Sequence, residues 1–249
     1  MSRRFIETYI AWNDSYLNSN IFLKIVNHLK DLGYHGLSIV FPINNISSAR
    51  FETLGDKLIE LKRIANTQKI DLVFRAEIRD LRPYLAKKIL RKIRKEFELI
   101  SMAPTNREQT VFACRDGRVD IITLLPDEKI TLYKGDISNI KREGKIVELL
   151  ITPLRRVSSP RELANKLYSY RRILYLLKEK KISFIISTGA YEPEEVPDPY
   201  SKAALLEILG GFNTEEALNA LSRVYDLINE NRKKLSSKMP VKGVEVLEE

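Results

Sequence analysis

Strongly apolar runs alternate with amphipathic segments along the whole chain. Runs such as "IDLVF" (70–74) and "FIIS" (184–187) are almost continuously apolar, as expected for strands buried on both faces. The segments between such runs have a different period. In "NIFLKIVNHLKDLG" (20–33), the apolar residues recur at the spacing of one helix face. The alternation of the two patterns predicts a parallel α/β sheet.

The same pattern locates the individual elements. Strands are predicted at 4–12, 34–42, 70–78, 98–104, 119–126, 145–153 and 182–188. Helices are predicted at 20–33, 53–68, 82–97, 106–117, 159–181, 199–209 and 214–231. Residues 127–145 are ambiguous, because "KITLYKG" fits an extra strand that a short helix could follow.

This series of strand–helix units favours one fold class. Seven or eight units in a chain of 249 residues favour an α/β, TIM-barrel-like (βα)7–8 barrel, with an open doubly wound sheet as the alternative. There is no convincing eighth strand, so the barrel need not be regular. We expect residues 1–235 to form a single domain, because no linker rich in Gly, Pro or Ser divides them, and residues 236–249 to form a mobile tail.

The composition limits where the protein works. With 44% hydrophobic and 30% charged residues, the chain can bury a sizeable core. No apolar run reaches the roughly 18 residues of a membrane span, and the first residues lack the apolar stretch of a secretion signal. One cysteine, Cys114, excludes an intrachain disulfide. We therefore expect a cytoplasmic protein that does not contact a membrane.

The charge is unevenly distributed. The chain carries 42 basic and 33 acidic residues, a net charge of +9, which favours a polyanionic partner such as nucleic acid. Residues 75–95 contain nine basic and two acidic residues, and residues 141–181 contain twelve basic and four acidic ones. Residues 190–216 contain seven acidic residues and one basic residue. Two basic stretches in one chain favour contacts with a phosphate backbone, although a basic helix face is more often only solvated.

Candidate catalytic groups are few. The sequence has neither a Gly-rich dinucleotide fingerprint nor a phosphate-loop pattern. His28 and His35 lack a second histidine at metal-site spacing, and Cys114 has no nearby histidine to activate it, so we expect structural roles for all three. Five carboxylates near strand ends could still hold Mg²⁺, unless they are loop charges or helix caps: Glu7, Glu77, Asp127, Glu192 and Asp198.

The stretch "ISTGAYEPEEVPDPY" (186–200) would lie at the end of a barrel where active sites form. It contains no His, Cys, Lys or Arg. The small residues at 187–190 suit close packing or a tight turn. We therefore predict a structural or protein-docking loop here.

Three segments resemble the archaeal ribonuclease P protein component 3 family. "ELISMAPTNREQTVFACRDGRVDIITL" (98–124) is similar to the middle of that family, with a Pro-x-Asn turn, a helix and an Asp-Ile-Ile strand. "FIISTGAYEPEEVPDPYSKAALLEILGGFNTEEALNALS" (184–222) is similar to its C-terminal signature, and "DLGYHGLSIV" (31–40) to its early Leu-Gly-Tyr segment. The matches span most of residues 5–232 and occur in the family's order.

The resemblance implies a barrel related to the metal-dependent PHP phosphoesterases and a role in removing the 5′ leader from precursor tRNA. It further implies that the RNA subunit carries the catalytic Mg²⁺, that this chain binds no cofactor of its own, and that it pairs with protein component 2. PHP enzymes begin with a His-x-His on the first strand, where this chain has Glu7, Thr8 and Tyr9. Loss of both ligands implies that this barrel is not itself catalytic. The loop "EEVPDPY" also lacks a basic residue expected before its proline.

The leading hypothesis is thus a non-catalytic subunit that binds ribonuclease P RNA, protein component 2 and other protein components. The alternatives are a free-standing Mg²⁺- or Mn²⁺-dependent barrel phosphoester hydrolase that uses Glu7, Glu77, Asp127 and Asp198, and a protein-only scaffold. Nine basic residues are the predicted RNA contacts: Arg75, Arg79, Arg82, Lys87, Lys88, Arg91, Arg107, Arg155 and Arg156.

Overall fold

Seven parallel strands follow one another around the sheet in the order in which they occur along the chain. The computed structural model describes residues 3–43, 54–125 and 131–236. The strands are β1 (Ile6–Ala11), β2 (Gly36–Ile43), β3 (Asp71–Arg79), β4 (Leu99–Ala103), β5 (Ile121–Leu124), β6 (Ile146–Leu150) and β7 (Phe184–Ser187). This order excludes the doubly wound alternative, in which the strand order reverses part-way through the sheet.

Backbone contacts between the two ends of the sheet nearly close it into a barrel. Ala190, beyond β7, forms a parallel bridge with Ile10 in β1. The Ala11 N–H donates to the Ala190 carbonyl at 2.8 Å. The TIM-barrel-like prediction is therefore confirmed, and the described strands are the seven that the hydrophobic pattern predicts.

Helices connect the strands. They are α1 (Ser19–Asp31), α2 (Gly55–Thr67), α3 (Pro83–Ile93), α4 (Arg107–Arg115), α5 (Lys134–Glu143), the short α6 (Thr152–Arg155), α7 (Pro160–Glu179), α8 (Pro199–Gly210) and α9 (Thr214–Leu235). Ser159 and Asn213 cap α7 and α9, because each side chain accepts a backbone N–H from the first turn of its helix. None of the helices in the described ranges is long and apolar enough to cross a bilayer.

The ambiguous segment has a different structure from the extra strand considered above. In its described part, residues 131–133 are not a strand, and α5 begins at Lys134. Gly144 ends α5 in the left-handed conformation, with φ at 66°, so this helix carries its own C-terminal stop. Residues 126–130 lie outside the described residues, as does the predicted tail beyond residue 236.

The last helix closes the amino-terminal end of the barrel. Val224 and Ile228 of α9 pack against a layer of apolar residues near the beginnings of six strands: Ile6, Val73, Leu99, Ile121, Ile146 and Ile185. Arg232, one turn further on, pairs with Asp71 and Glu98 at the starts of β3 and β4. The carboxyl-terminal end is the other end of the barrel, and the loops that follow the strands form it.

Candidate nucleic-acid interface

Beyond the apolar layer at its amino-terminal end, the interior of the barrel is polar. Six strands contribute buried side chains to one hydrogen-bonded layer: Thr8, Arg75, Ser101, Thr123, Glu148 and Ser187. In this fold the middle of the barrel is normally filled by bulky apolar residues. The polar side chains of this layer are cut off from water, so each of them needs a hydrogen-bond partner inside the barrel.

Arg75 and Glu148 form the centre of this layer. Nη1 of Arg75 donates to Oε1 of Glu148 at 2.8 Å, and Nε of Arg75 donates to Oγ of Ser101 at 2.8 Å. The Glu148 carboxylate also accepts from Thr123 Oγ1 at 2.8 Å and from Ser187 Oγ at 2.6 Å. Both charged side chains are 0% exposed. The two charges are paired and hydrogen-bonded, which is what burial of an ion pair requires.

The prediction that Arg75 contacts RNA is therefore wrong. Side chains alternate between the two faces of a strand, so Arg75, Glu77 and Arg79 share the inward face of β3. Arg75 is the deepest of the three and its charge is already neutralised by Glu148. A guanidinium in this position has no surface to offer a phosphate.

A second ionic group lies nearer the carboxyl-terminal end. The Tyr9 hydroxyl donates to Oε2 of Glu77 at 2.7 Å, and the partly exposed Arg79 contacts both residues. Burial and the Glu77 carboxylate raise the pKa of Tyr9, so the hydroxyl stays protonated and acts as a donor. Oε1 of Glu77 has no hydrogen-bond partner among the described residues but lies 3.8 Å from Nη2 of Arg75. Two arginines thus face two glutamates, and the interior is balanced in charge.

Glu7 belongs to a third buried ion pair. It pairs with Lys202 of α8, and both side chains are almost fully buried, at 0% and 2% exposure. Thr188 donates its hydroxyl to Oε2 of Glu7 at 2.8 Å and its N–H to Oε1 at 3.1 Å. Glu7 and Tyr9 are the residues compared above with the His-x-His of the PHP enzymes. Both are occupied by partners within the chain.

The carboxylates considered for Mg²⁺ do not converge on one point. Glu7 and Glu77 have the buried partners described above, whereas Asp198 caps α8 through its side chain and Glu192 is exposed. Asp127 lies outside the described residues. In the part of the chain that the structure describes, no group of three or more His, Cys, Asp or Glu residues could hold a metal ion. These residues do not fit a metal centre.

The other candidate groups have structural surroundings. Cys114 is fully buried, and burial raises the pKa of its thiol to about 12, so the reactive thiolate is scarce at neutral pH. Nδ1 of His35 accepts the Phe5 N–H at 3.3 Å and so links the starts of two neighbouring strands.

Four of the predicted RNA contacts are exposed on or next to α3. Arg82 occupies the position before the first residue of the helix, and Lys87, Lys88 and Arg91 lie on its solvent side. The opposite side of α3 is buried, through Ala86, Ile89, Leu90 and Ile93. The amphipathic pattern therefore exposes Lys87, Lys88 and Arg91 on one side of the helix, and Arg82 is exposed at its N-terminus. We call these four residues the α3 patch (Arg82, Lys87, Lys88 and Arg91).

The remaining four predicted contacts lie at the carboxyl-terminal end and have partners within the chain. Besides Arg79, these are Arg107, which pairs with Asp136, and Arg155 and Arg156, which both contact Glu195. Their side chains are still exposed in part, with values of 33% for Arg79, 49% for Arg107 and 54% for Arg156. An arginine in such a pair keeps N–H donors that can reach a phosphate.

The stretch 186–200 is built into the protein by close packing and by these arginines. Gly189 has φ at +69°, and a Cβ there would lie 3.2 Å from Leu150. Glu195 accepts the Tyr191 N–H at 2.8 Å as well as contacts from Arg155 and Arg156. The loop has no basic residue of its own, and the arginines that contact it, Arg155 and Arg156, belong to the preceding strand–helix unit.

Sequence reasoning missed Glu148 and Lys202, which neutralise Arg75 and Glu7. Glu148 has a weak signal, since it is the lone charge in the apolar run "IVELLI" (146–151). Lys202 has none, because a lysine in the first turn of a helix is ordinarily solvated. Both pairings join residues far apart in sequence.

Several solved structures share the fold of this chain. An archaeal ribonuclease P with mature tRNA contains a chain with a TM-score of 0.77 and 20% identity, covering 98% of each chain. A putative prolidase from Bifidobacterium longum has a TM-score of 0.62 and 12% identity, covering 92% of this chain and 70% of that one. A zinc-containing histidinol phosphate phosphatase from Lactococcus lactis subsp. lactis has a TM-score of 0.51 and 8% identity, covering 92% and 94%. No curated protein sequence matches.

At these identities the likenesses concern the fold alone. The class that the fold defines is a TIM-like α/β barrel, and ion pairs, with Arg75 and Glu148 at the centre, occupy its interior. The sequence model of the RNase P subunit p30 family matches residues 5–237. The chain belongs to that family and is a protein subunit of ribonuclease P, with a role in tRNA processing.

Proposed function

We propose that this subunit does not cleave RNA itself but binds the RNA of ribonuclease P, which uses Mg²⁺ to remove the 5′ leader from precursor tRNA. The observation that carries the proposal is the barrel interior. Inside it, Tyr9, Glu77 and Glu148 are held by Arg79 and Arg75. Glu7 is held separately by Lys202 of α8. The net charge of +9 supports a polyanionic partner, and the single cysteine supports work in the cytoplasm.

The α3 patch is the proposed main contact with the phosphate backbone. Its four cations are exposed, lie on or next to one helix and have no ion-pair partner among the contacts described above, so they are available to phosphates. Arg79, Arg107, Arg155 and Arg156 are proposed as secondary contacts, because each already has a partner within the chain. Protein component 2 is the proposed protein partner, on the basis of the family resemblance.

Replacing Lys87, Lys88 and Arg91 together with alanine should weaken binding to ribonuclease P RNA. Each lost phosphate contact lowers the slope of log affinity against log salt by about 0.7–0.9, so we expect a decrease of about 2–3 units. Fluorescence anisotropy at several salt concentrations measures both quantities.

The matched control replaces Lys24, Lys30 and Arg63, three exposed cations on α1 and α2, with alanine. It removes the same charge from another surface. Equal slopes for the two triple variants would show that the α3 patch is not the RNA contact surface, and a control slope close to that of the natural chain would support the assignment.

The purified chain alone should not cleave precursor tRNA in Mg²⁺, whereas adding it with protein component 2 to the RNA subunit should lower the Mg²⁺ concentration needed for cleavage. Gel analysis of 5′-labelled precursor tRNA measures both. The matched variant is Glu77→Gln, which removes a carboxylate that the rival hydrolase would need. Cleavage by the chain alone that is lost in this variant would establish the hydrolase instead.

A further inference from the structure

Two exposed tyrosines at the carboxyl-terminal end of the barrel are each covered by an arginine from a different strand–helix unit. The Arg107 guanidinium lies 4.5 Å from the centre of the Tyr133 ring, and that of Arg156 lies 4.7 Å from the centre of the Tyr191 ring. The tyrosines remain 57% and 51% exposed. These contacts differ from that of Lys88 with Tyr84, which are neighbours on one helix turn.

In both cases one carboxylate organises the pair. Asp136 accepts the backbone N–H of Tyr133 at 2.9 Å and binds Arg107, with Nη2 3.1 Å from Oδ1. Glu195 accepts the backbone N–H of Tyr191 at 2.8 Å and binds Arg156, with Nη2 2.9 Å from Oε1. Tyrosine, carboxylate and arginine thus form the same three-part arrangement twice.

The two arrangements also occupy equivalent positions in the barrel. Arg107 follows β4 and Tyr133 follows β5, whereas Arg156 follows β6 and Tyr191 follows β7. In each, the arginine comes from one unit and the tyrosine with its carboxylate from the next. A helix cap alone would explain the N–H bonds, but it would not require an aromatic ring that is more than half exposed.

We propose that Tyr133 and Tyr191 are stacking platforms for unpaired bases of RNA. A base stacks on an aromatic face or on a guanidinium plane, and here both are held in place before the RNA arrives. The arginines add positive charge for the neighbouring phosphates. Single-stranded RNA is favoured over a protein partner because each ring is paired with a guanidinium plane, and these are the two kinds of planar group on which unpaired bases stack. This inference rests on the proposed RNA binding and extends it from phosphates to bases.

The test uses the full chain and two probes, a single-stranded oligouridylate of about 12 nucleotides and an RNA duplex of the same length. Tyr133→Leu and Tyr191→Leu should each weaken binding to the single strand about 5- to 150-fold, since stacking contributes ~1–3 kcal/mol per base. The salt slope should stay constant because no charge is lost. Duplex binding should also be unchanged, and Tyr→Trp at either position should restore single-strand affinity.

Tyr200→Leu is the matched control, because Tyr200 is 66% exposed and contacts Phe5, a residue that precedes the start of β1 at the other end of the barrel. It should leave both affinities unchanged. Equal single-strand affinity in the natural chain and both Tyr→Leu variants would overturn the stacking inference, as would loss of binding to protein component 2 with RNA binding intact. If the natural chain binds no RNA, the proposed function fails as well, so the two failures are distinguishable.

A second measurement needs no variant and therefore tests the inference even if the substituted chains do not fold. The natural chain is irradiated with oligouridylate carrying 5-iodouracil, and the crosslinked peptides are identified by mass spectrometry. Crosslinks at Tyr133 or Tyr191 would support the inference, and crosslinks confined to other residues would refute it.

Discussion

Replacing Glu148 with alanine is expected to lower the free energy of unfolding by about 3–5 kcal/mol. The change leaves the Arg75 guanidinium fully buried and hydrogen-bonded only to the neutral oxygens of Ser101, Thr123 and the Thr8 carbonyl. The remaining carboxylate, that of Glu77, lies 3.8 Å away and already pairs with Arg79. An uncompensated charge inside a protein costs far more than the pair itself contributes. Urea denaturation followed by circular dichroism measures the loss.

The double variant Arg75→Met/Glu148→Leu provides the control for this prediction. It removes both charges and fills similar volume, so we expect it to recover more than half of the lost free energy. If the double variant is as unstable as Glu148→Ala, the polar layer stabilises the barrel through its shape and hydrogen bonds, and the ion-pair explanation is wrong.

The difference in unfolding free energy between the natural chain and Glu148→Ala should also depend on pH, in a direction that the pKa of Glu148 determines. Burial alone would raise the pKa of Glu148, but the Arg75 guanidinium, with hydrogen bonds from Ser187 and Thr123, holds that pKa below its usual value. A carboxyl group with a lowered pKa contributes stability above its unfolded pKa, about 4.3 for Glu, and loses it as the pH falls through the folded value. The natural chain and Glu148→Ala should therefore differ most near neutral pH and converge below about pH 4.

The order and type of the elements could be read from the sequence because they depend on local signals. Buried parallel strands such as "IDLVF" have no solvated face, and the helices between them carry one apolar stripe. In a barrel, sequence order also becomes spatial order, so no long-range pairing has to be guessed. Residues 127–145 were ambiguous because this polar segment has neither a continuous apolar run nor a clear apolar stripe at helical spacing.

The interior of the barrel could not be read in the same way. The basic run from Arg75 to Lys95 looked like one surface, yet it crosses from the inside of β3 to the outside of α3. Strand alternation tells which residues share a face, but it does not tell whether that face is apolar or ionic. Arg75 can be buried because Glu148 neutralises its charge, and Glu148 lies on a different strand, β6. Counts of basic and acidic residues also do not show which charges are exposed, because the residues of buried ion pairs are counted with those of the surface.

Replacing Lys202 with methionine is expected to lower the free energy of unfolding by about 3–5 kcal/mol, the second large effect. Methionine retains most of the volume but leaves the Glu7 carboxylate buried with only neutral donors, of which Thr188 supplies two. The pair joins β1 to α8, so its loss weakens the contact between the first strand and the C-terminal helices. Chemical denaturation of the full chain measures the change.

Two controls separate this effect from a general loss of packing. Lys24→Met changes the same residue type at an exposed position on α1 and should alter stability by no more than about 0.5 kcal/mol. The double variant Glu7→Gln/Lys202→Met removes both charges and should regain more than half of the loss, because no buried charge then remains unpaired. An equal loss in the single and double variants would mean that Lys202 acts through its aliphatic packing. In that case the charge of Lys202 would not be what holds α8 against β1.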